Sequence, residues 1–223
     1  MNKPIAYFSL DVETLGTVGG LHPLLSIGAA VFDYSERLRG DYEVNLLKPP
    51  DLVCDLETVA WWQEPARSEA FFYSTQEPVP AECGIKQFLA WHDSIAEQYD
   101  LQYLGKPTVF DYSFIQYYCL RFGGRPLLQR ARAIDIHSLM AALTGCPINE
   151  LHTSCLPAGL LDGLDCFMGV KHTALDDAIY QGLVGLRCLK LFARIRDTVN
   201  IQNLVKYDGP SIDLSLRSRR FQR

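Results

Sequence analysis

Two carboxylates stand two residues apart at the end of an apolar, β-prone run, where Ile5 to Leu10 leads straight into Asp11-Val12-Glu13. In a strand, side chains at i and i+2 share a face, so Asp11 and Glu13 are expected to point the same way. Two acids directed together repel unless a cation sits between them, and hard oxygen ligands select Mg²⁺ or Mn²⁺ over a soft-metal site. Taken alone, the pair also suits a solvated strand end before a Gly-rich turn, since Gly16, Gly19 and Gly20 follow.

A second signal lies late in the chain. Lys171-His172-Thr173 precedes Leu175, Ile179, Leu183, Leu186 and Leu189, whose three-to-four-residue spacing predicts a long amphipathic helix. Thr173 suits the N-cap, and Asp176 complements the dipole in the first turn. Asp177 then sits about one turn inside, where it can face the strand ends, while His172 lies just before the helix and is freer to reach a substrate. Those positions suit a metal ligand and a general base. The plainer alternative is a surface histidine beside dipole-complementing acids. A third acid, Asp111, follows the segment Pro107 to Phe110 where a short strand is expected to give way to a helix, a place that presents a carboxylate at a sheet edge.

In order and spacing, D-x-E near the N-terminus, F-D-x-x-F in mid-chain and H-x4-D opening a late helix resemble the DEDDh exonucleases of the DnaQ-like, ribonuclease H-like superfamily. Thr58-Val-Ala-Trp-Trp62 and the run from Cys155 to Gly163 add to the resemblance, which spans residues 5 to 196. Within that superfamily the chain is most similar to exonuclease A of T-even phages and related bacterial exoribonuclease-like domains. The resemblance implies an α/β fold, a ribonuclease H-like mixed five-stranded sheet flanked by helices. It also implies that Asp11, Glu13 and Asp177 bind one Mg²⁺ (or Mn²⁺), that Asp11 is shared with a second ion assisted by Asp111, and that His172 is the general base. Thr14 and Leu15 match positions that contact the terminal nucleotide. Many relatives carry an asparagine shortly before the middle aspartate, whereas this chain reads Gly105-Lys-Pro-Thr-Val-Phe110.

A phosphodiester needs an in-line water, a sink for extra negative charge and help for the departing 3′ oxygen, which a two-ion site supplies. His172 would accept the water proton only when neutral, so activity is expected to fall under acidic conditions. Exposed rings stack on nucleobases regardless of sequence. Trp61 and Trp62 are the leading pair, but neighbours on a helix diverge by ~100°, so only one is expected to face a cleft. Tyr112 is a further candidate, and Phe110 is assigned to the core. Asp135 is read as a cap for the following helix and His137 as a helical surface residue.

Charge limits the substrate. The chain has 21 Lys and Arg against 26 Asp and Glu, a net −5, and removing the four proposed ligands leaves −5 + 4 = −1. Such a chain lacks the basic field of a tight duplex binder, which favours single-stranded 3′ ends. The resulting expectation is a 3′–5′ exonuclease acting on single-stranded DNA, with an exoribonuclease as the alternative. A non-catalytic nucleic-acid-binding module and a small-nucleotide phosphohydrolase remain further alternatives. Residues 1–200 are expected to form the exonuclease domain and residues 201–223 a tail whose Arg217, Arg219, Arg220 and Arg223 hold a nucleic-acid backbone or only solubilise.

No apolar run reaches the ~18 residues of a membrane span, and the N-terminus has no signal-peptide pattern, so a cytoplasmic location is expected. Seven scattered cysteines suggest reduced thiols. His152, Cys155, Cys166 and His172 fit no compact zinc finger. Homodimers occur among the relatives, although no coiled-coil heptad is visible. Periodicity predicts strands near Ile5 to Asp11, Leu24 to Tyr34, Tyr42 to Leu47, Pro107 to Phe110 and Ala133 to Asp135. Helices are predicted over Ala81 to Tyr99, Tyr112 to Phe122, Ile136 to Leu143 and Ala174 to Arg196. Gly182 and Gly185 would let the last helix approach the sheet.

Overall fold

The structure, a computed structural model, describes residues 3–128, 132–164 and 169–198. The chain divides into two units, Met1–Lys190 and Leu191–Arg223. The first is built on a five-stranded mixed sheet. Strands β1 (Ile5–Thr14), β2 (Leu24–Phe32) and β3 (Leu38–Asn45) form the expected antiparallel meander, while β4 (Asp100–Gly105) and β5 (Ala133–Asp135) add in parallel. The order is β3-β2-β1-β4-β5, which puts β1 in the middle.

The helices of this unit are α1 (Leu56–Trp62), α2 (Ser68–Thr75), α3 (Ala81–Gln98), α4 (Thr108–Gly123), α5 (Ile136–Thr144) and the start of α6 (Ala174–Thr198). Every residue of β2 is buried, as a strand covered on both faces requires. One core joins Ala6, Phe8, Leu10 and Val12 of β1 to Ile85 and Phe88 of α3 and to Phe114, Ile115 and Tyr118 of α4. A second joins Ala30, Phe32 and Leu104 to Ile136 and Met140 of α5 and to Leu183, Val184 and Leu186 of α6. Even-numbered side chains of β1 thus serve one core, and the odd-numbered Ser9, Asp11 and Glu13 lie on the opposite face.

Two glycines set the distance between α6 and the sheet. A Cβ on Gly28 of β2 would lie 2.0 Å from the carbonyl carbon of Ala174, so the first turn of α6 rests on bare backbone. Gly28 pairs with Asp11 across the sheet, which brings that turn beside the acids. A Cβ on Gly182 would lie 2.7 Å from the Ser9 Cβ, the close approach expected from the sequence. Gly185 instead makes room for Ile136 of α5.

The fourth strand departs from expectation. Pro107 to Phe110 forms the entry and first turn of α4, and the strand is Asp100–Gly105. The β-branched Thr108-Val109 pair is overridden by a contact distant in sequence: the Asp135 carboxylate accepts from Thr108 N at 2.9 Å and Thr108 Oγ1 at 3.1 Å. Its other oxygen accepts from Ser138 N at 2.7 Å, so Asp135 caps α5 as expected while it anchors the start of α4. Strand β3 starts at Leu38, four residues before the expected Tyr42. The second unit is described only to Thr198, within the last turns of α6. The expected tail, residues 201–223 with its arginine cluster, lies outside the described residues. Among the described residues no helix is long and apolar enough to cross a membrane.

Candidate active site

Asp11 and Glu13 project from one face of β1, and α6 delivers Asp177 to the same point. Carboxylate oxygens of the three lie within 4.8 Å of one another, the arrangement among the described residues able to hold a metal ion. Asp111, in the first turn of α4, stands outside that trio but close enough that its charge acts on Asp11. Glu13 and Asp111 are buried, 8% and 2% exposed, while Asp11 and Asp177 keep partial access to solvent.

Burial holds all four acids above the usual carboxylate range, and repulsion from the others adds to it for Asp11, Glu13 and Asp111. For Asp11 burial is the first cause, followed by Asp111, Glu13 and Asp177, against a smaller lowering by Lys106. Burial, then Asp177 and Asp111, raise Glu13. Burial also pushes Asp111 up to about 8, although the Val12 and Lys106 backbone amides oppose it. Burial raises Asp177 against the amide of His172. The Oδ2 atom of Asp111 is buried without a hydrogen-bond partner. An all-oxygen donor set, mutually repelling, with one orphaned carboxylate oxygen fits a hard divalent cation. The zinc alternative loses a donor from view because Cys166 lies outside the described residues, and His172 stands with the acids.

His172 occupies a left-handed backbone conformation with φ of 66°, uncommon for a residue other than glycine. Its N–H donates to Asp177 Oδ2 at 3.0 Å, tying the histidine to the metal-type trio through its backbone. Its exposed ring meets Trp61 edge to face, with centroids 5.0 Å apart. The preceding turn is organised by Asp176, whose Oδ2 accepts from Val170 N at 2.9 Å and lies 3.0 Å from the hydroxyl of Thr173. The residue read as a dipole-complementing acid therefore also shapes the segment that carries His172.

Two cavities adjoin the carboxylates, one at Asp11 and Asp177 and the other at Glu13. One, of about 250 Å³, is lined by Asp11, Asp177 and His172 together with Lys106, Thr153, Lys171, Tyr180 and Gln181. The other, of about 350 Å³, is lined by Glu13, Thr14, Asp55, Glu57, Thr58, Trp61, Trp62 and Phe110. Both tryptophans line this second cavity, but unequally. Trp62 is 3% exposed and its Nε1 donates to the Thr14 carbonyl at 2.9 Å, whereas Trp61 is half-exposed between Arg67, stacked 4.1 Å from its centre, and His172.

Four residues sit differently from, or more specifically than, the sequence suggests. Tyr112 is 6% exposed and its hydroxyl donates inward to the Leu104 carbonyl at 3.2 Å, so it is a core residue. Phe110, assigned to the core, also lines the larger cavity. Leu15 packs beneath it against Leu25, Trp62 and Ala70, and its backbone groups bond to Pro23 and Asp55. His137 is half-buried, with its pKa lowered by burial and by the charge of Lys106.

Two residues at the site had been passed over. Gln181 donates to the Leu10 carbonyl at 2.8 Å and approaches Asp11 Oδ1 at 3.4 Å. It lies four residues after Asp177 on the same helical face, a spacing that could have disclosed it. Lys106 was visible only as a departure from the asparagine of the relatives.

The sequence matches the Rv2179c-like family, described as the 3'-5' exoribonuclease Rv2179c-like domain, over residues 6–185. No curated protein matches it. Among solved structures, the nuclease domain of 3'hExo, a DEDDh family member bound to rAMP, is similar with a TM-score of 0.60 at 12% identity. That match covers 83% of this chain and 92% of the other. A 3'-exonuclease solved in 3'-end specific recognition of the histone mRNA stem-loop aligns with a TM-score of 0.57 at 10% identity, covering 85% of this chain and 84% of that one. The zinc-bound complex of E. coli ExoI with single-stranded DNA aligns with a TM-score of 0.60 at 16% identity over 88% of this chain, but over only 43% of the longer exonuclease. At these identities the structures establish the ribonuclease H-like exonuclease fold.

Proposed function

Because the chain belongs to the Rv2179c-like 3'-5' exoribonuclease domain family, we propose that it acts as a DEDDh-type exonuclease that trims single-stranded RNA from the 3′ end, releasing nucleoside monophosphates. The observation that carries this reading is the four-acid cluster flanked by a histidine and two cavities, with Asp111 Oδ2 left unpaired. The family description favours RNA over the DNA expected from sequence. The single-stranded DNA in the ExoI complex keeps DNA as the second reading.

In this reading Asp11, Glu13, Asp111 and Asp177 hold two Mg²⁺ or Mn²⁺ ions. Bound there, the ions supply charge neutralisation for the scissile phosphate and its departing 3′ oxygen. The chain's own residues do the rest. The cavity beside Glu13 takes the terminal nucleoside, with the base against Trp61 and Phe110 and the sugar near Thr14, while Trp62 fixes Thr14 from behind. Its acidic side chains, Glu13, Asp55 and Glu57, oppose a phosphate beyond that nucleoside, which selects a free 3′ end. His172, exposed and restrained by Trp61, accepts the proton of the attacking water in its neutral form.

The test uses 5′-labelled RNA and DNA of one sequence, with Mg²⁺, Mn²⁺ or EDTA, and products resolved by length. The expected result is a metal-dependent ladder from the 3′ end, faster on RNA and abolished in Asp11→Ala. Replacing His172 by Asn should lower kcat by about 10²–10⁴, the usual contribution of a positioned general base. An intact, metal-binding protein that shortens neither strand overturns the reading.

A further inference from the structure

Charge separates the two cavities. Every ionisable group lining the larger one is an acid, Glu13, Asp55 or Glu57. The smaller one is lined by three acids, Asp11, Asp176 and Asp177, but also carries two cations, Lys106 and Lys171, which the larger one lacks. A strand whose scissile phosphate lies at the carboxylates has a nucleoside on each side, and the two sides differ in charge. The terminal nucleoside carries no further phosphate, whereas the upstream nucleoside continues into a phosphodiester backbone. The acidic cavity therefore suits the strand end and the lysine-bearing cavity suits the strand that enters.

We propose that Lys106, with Lys171, Thr153 and Tyr180 around it, forms a subsite for the phosphate next upstream of the scissile bond. The subsite rests on the exonuclease reading. Lys106 is half-buried, and among the described residues its ammonium makes no hydrogen bond or ion pair, although the charges of Asp177 and Asp11 reach it. A half-buried lysine lining a polar cavity, with no such partner of its own, is a ready anion donor. Its backbone is also fixed. Two residues on, Thr108 is held by Asp135 through both N and Oγ1, so the lysine is presented from an anchored turn. Thr153 and Tyr180, which line the same cavity, add hydroxyl-bearing side chains to it.

Two dinucleotides isolate the contact. NpN contains only the scissile phosphate, while pNpN adds a 5′ phosphate at the upstream position. Full-length wild type should favour pNpN by about tenfold or more in kcat/KM, the size of one charge-assisted hydrogen bond. That ratio should collapse in Lys106→Gln and in Lys106→Met, which keeps the aliphatic stem, and persist in Lys106→Arg. Thermal melts establish that each variant is folded. Fluorescence anisotropy of a labelled oligomer in EDTA gives a second readout without turnover. Loss of one phosphate contact should reduce the slope of log affinity against log salt by about 0.7. A wild type indifferent to the 5′ phosphate overturns the subsite, as does a Lys106→Gln variant that loses both substrates equally with the ratio intact. If wild type cleaves neither dinucleotide nor any longer strand, the exonuclease reading fails and the subsite falls with it.

Discussion

Gly28→Ala should damage catalysis as well as stability. The added Cβ would stand 2.0 Å from the Ala174 carbonyl carbon, 2.1 Å from its oxygen and 2.2 Å from Leu175 N, whereas ordinary contact begins at 3.4 Å. Relief requires a separation of 3.4 − 2.0 = 1.4 Å between β2 and α6. The obstructing atoms are helix backbone, so no rotamer change can remove them. Strand β2 is paired on both sides, by β1 and β3, so the first turn of α6 has to yield. That turn carries Asp177 and is continuous with His172. Overpacking of this kind costs about 1–3 kcal/mol. For a chain of this size, at ~2–4 °C per kcal/mol, the melting temperature should fall by roughly 2–12 °C. Misplacing a reacting group by ~1 Å costs about 100-fold, so kcat/KM on a labelled 3′ end should drop by about that factor. Gly182→Ala is the control on the same helix. There the added Cβ meets the Ser9 and Phe32 side chains at 2.7–3.0 Å, a smaller displacement against softer atoms, and activity should stay within about tenfold of wild type. A Gly28→Ala protein that melts lower yet keeps activity within about threefold would refute the claim that this contact sets the ligand geometry.

The acid cluster gives a pH test with a definite sign. Carboxyls whose folded pKa is raised bind more protons in the folded state, so the stability they contribute is lost as pH rises from the ordinary value of 3.8 toward about 8 for Asp111. In EDTA, the melting temperature of Asp111→Asn minus that of wild type should therefore climb in favour of the variant across that window, and Mg²⁺ should reverse the order. A difference independent of pH would sink the argument. Gln181→Ala removes the donor to Leu10 and Asp11; leaving a buried carbonyl unpaired costs about 1–3 kcal/mol, and the Mg²⁺ titration of activity should shift to higher concentration. An unshifted titration would make Gln181 merely structural. Oligomers ending in a 3′ phosphate should be degraded at least about tenfold more slowly than those ending in a hydroxyl, because Glu13, Asp55 and Glu57 line the terminal cavity. Equal rates would show that this cavity does not hold the strand end.

What the sequence disclosed and what it hid divide along the range of the interactions. The shared face of Asp11 and Glu13 follows from strand periodicity, and the placement of Asp177 one turn into α6 follows from helical spacing and a cap. Both depend on residues within a few positions, and both reappear in the structure. The antiparallel meander was equally legible, since apolar runs and turn residues punctuate it. The start of α4 was not. It depends on Asp135, twenty-seven residues away, bonding to Thr108, and a propensity reading of Thr108-Val109-Phe110 sees only a strand. That error propagated to the aromatics. With the helix beginning at Thr108 instead of Tyr112, Phe110 and Tyr112 both fall on helical positions two residues and ~200° apart, so one turns to the cavity and the other to the core. The outcome is Phe110 at the substrate cavity and Tyr112 bonded to Leu104. Lys106 was hidden for the same reason. Its significance depends on the cavity that α6 and the segment around Thr153 build opposite it, and composition reports only one more lysine. The acids have a signature in spacing because they sit on regular elements, whereas Lys106 sits at the joint between β4 and α4.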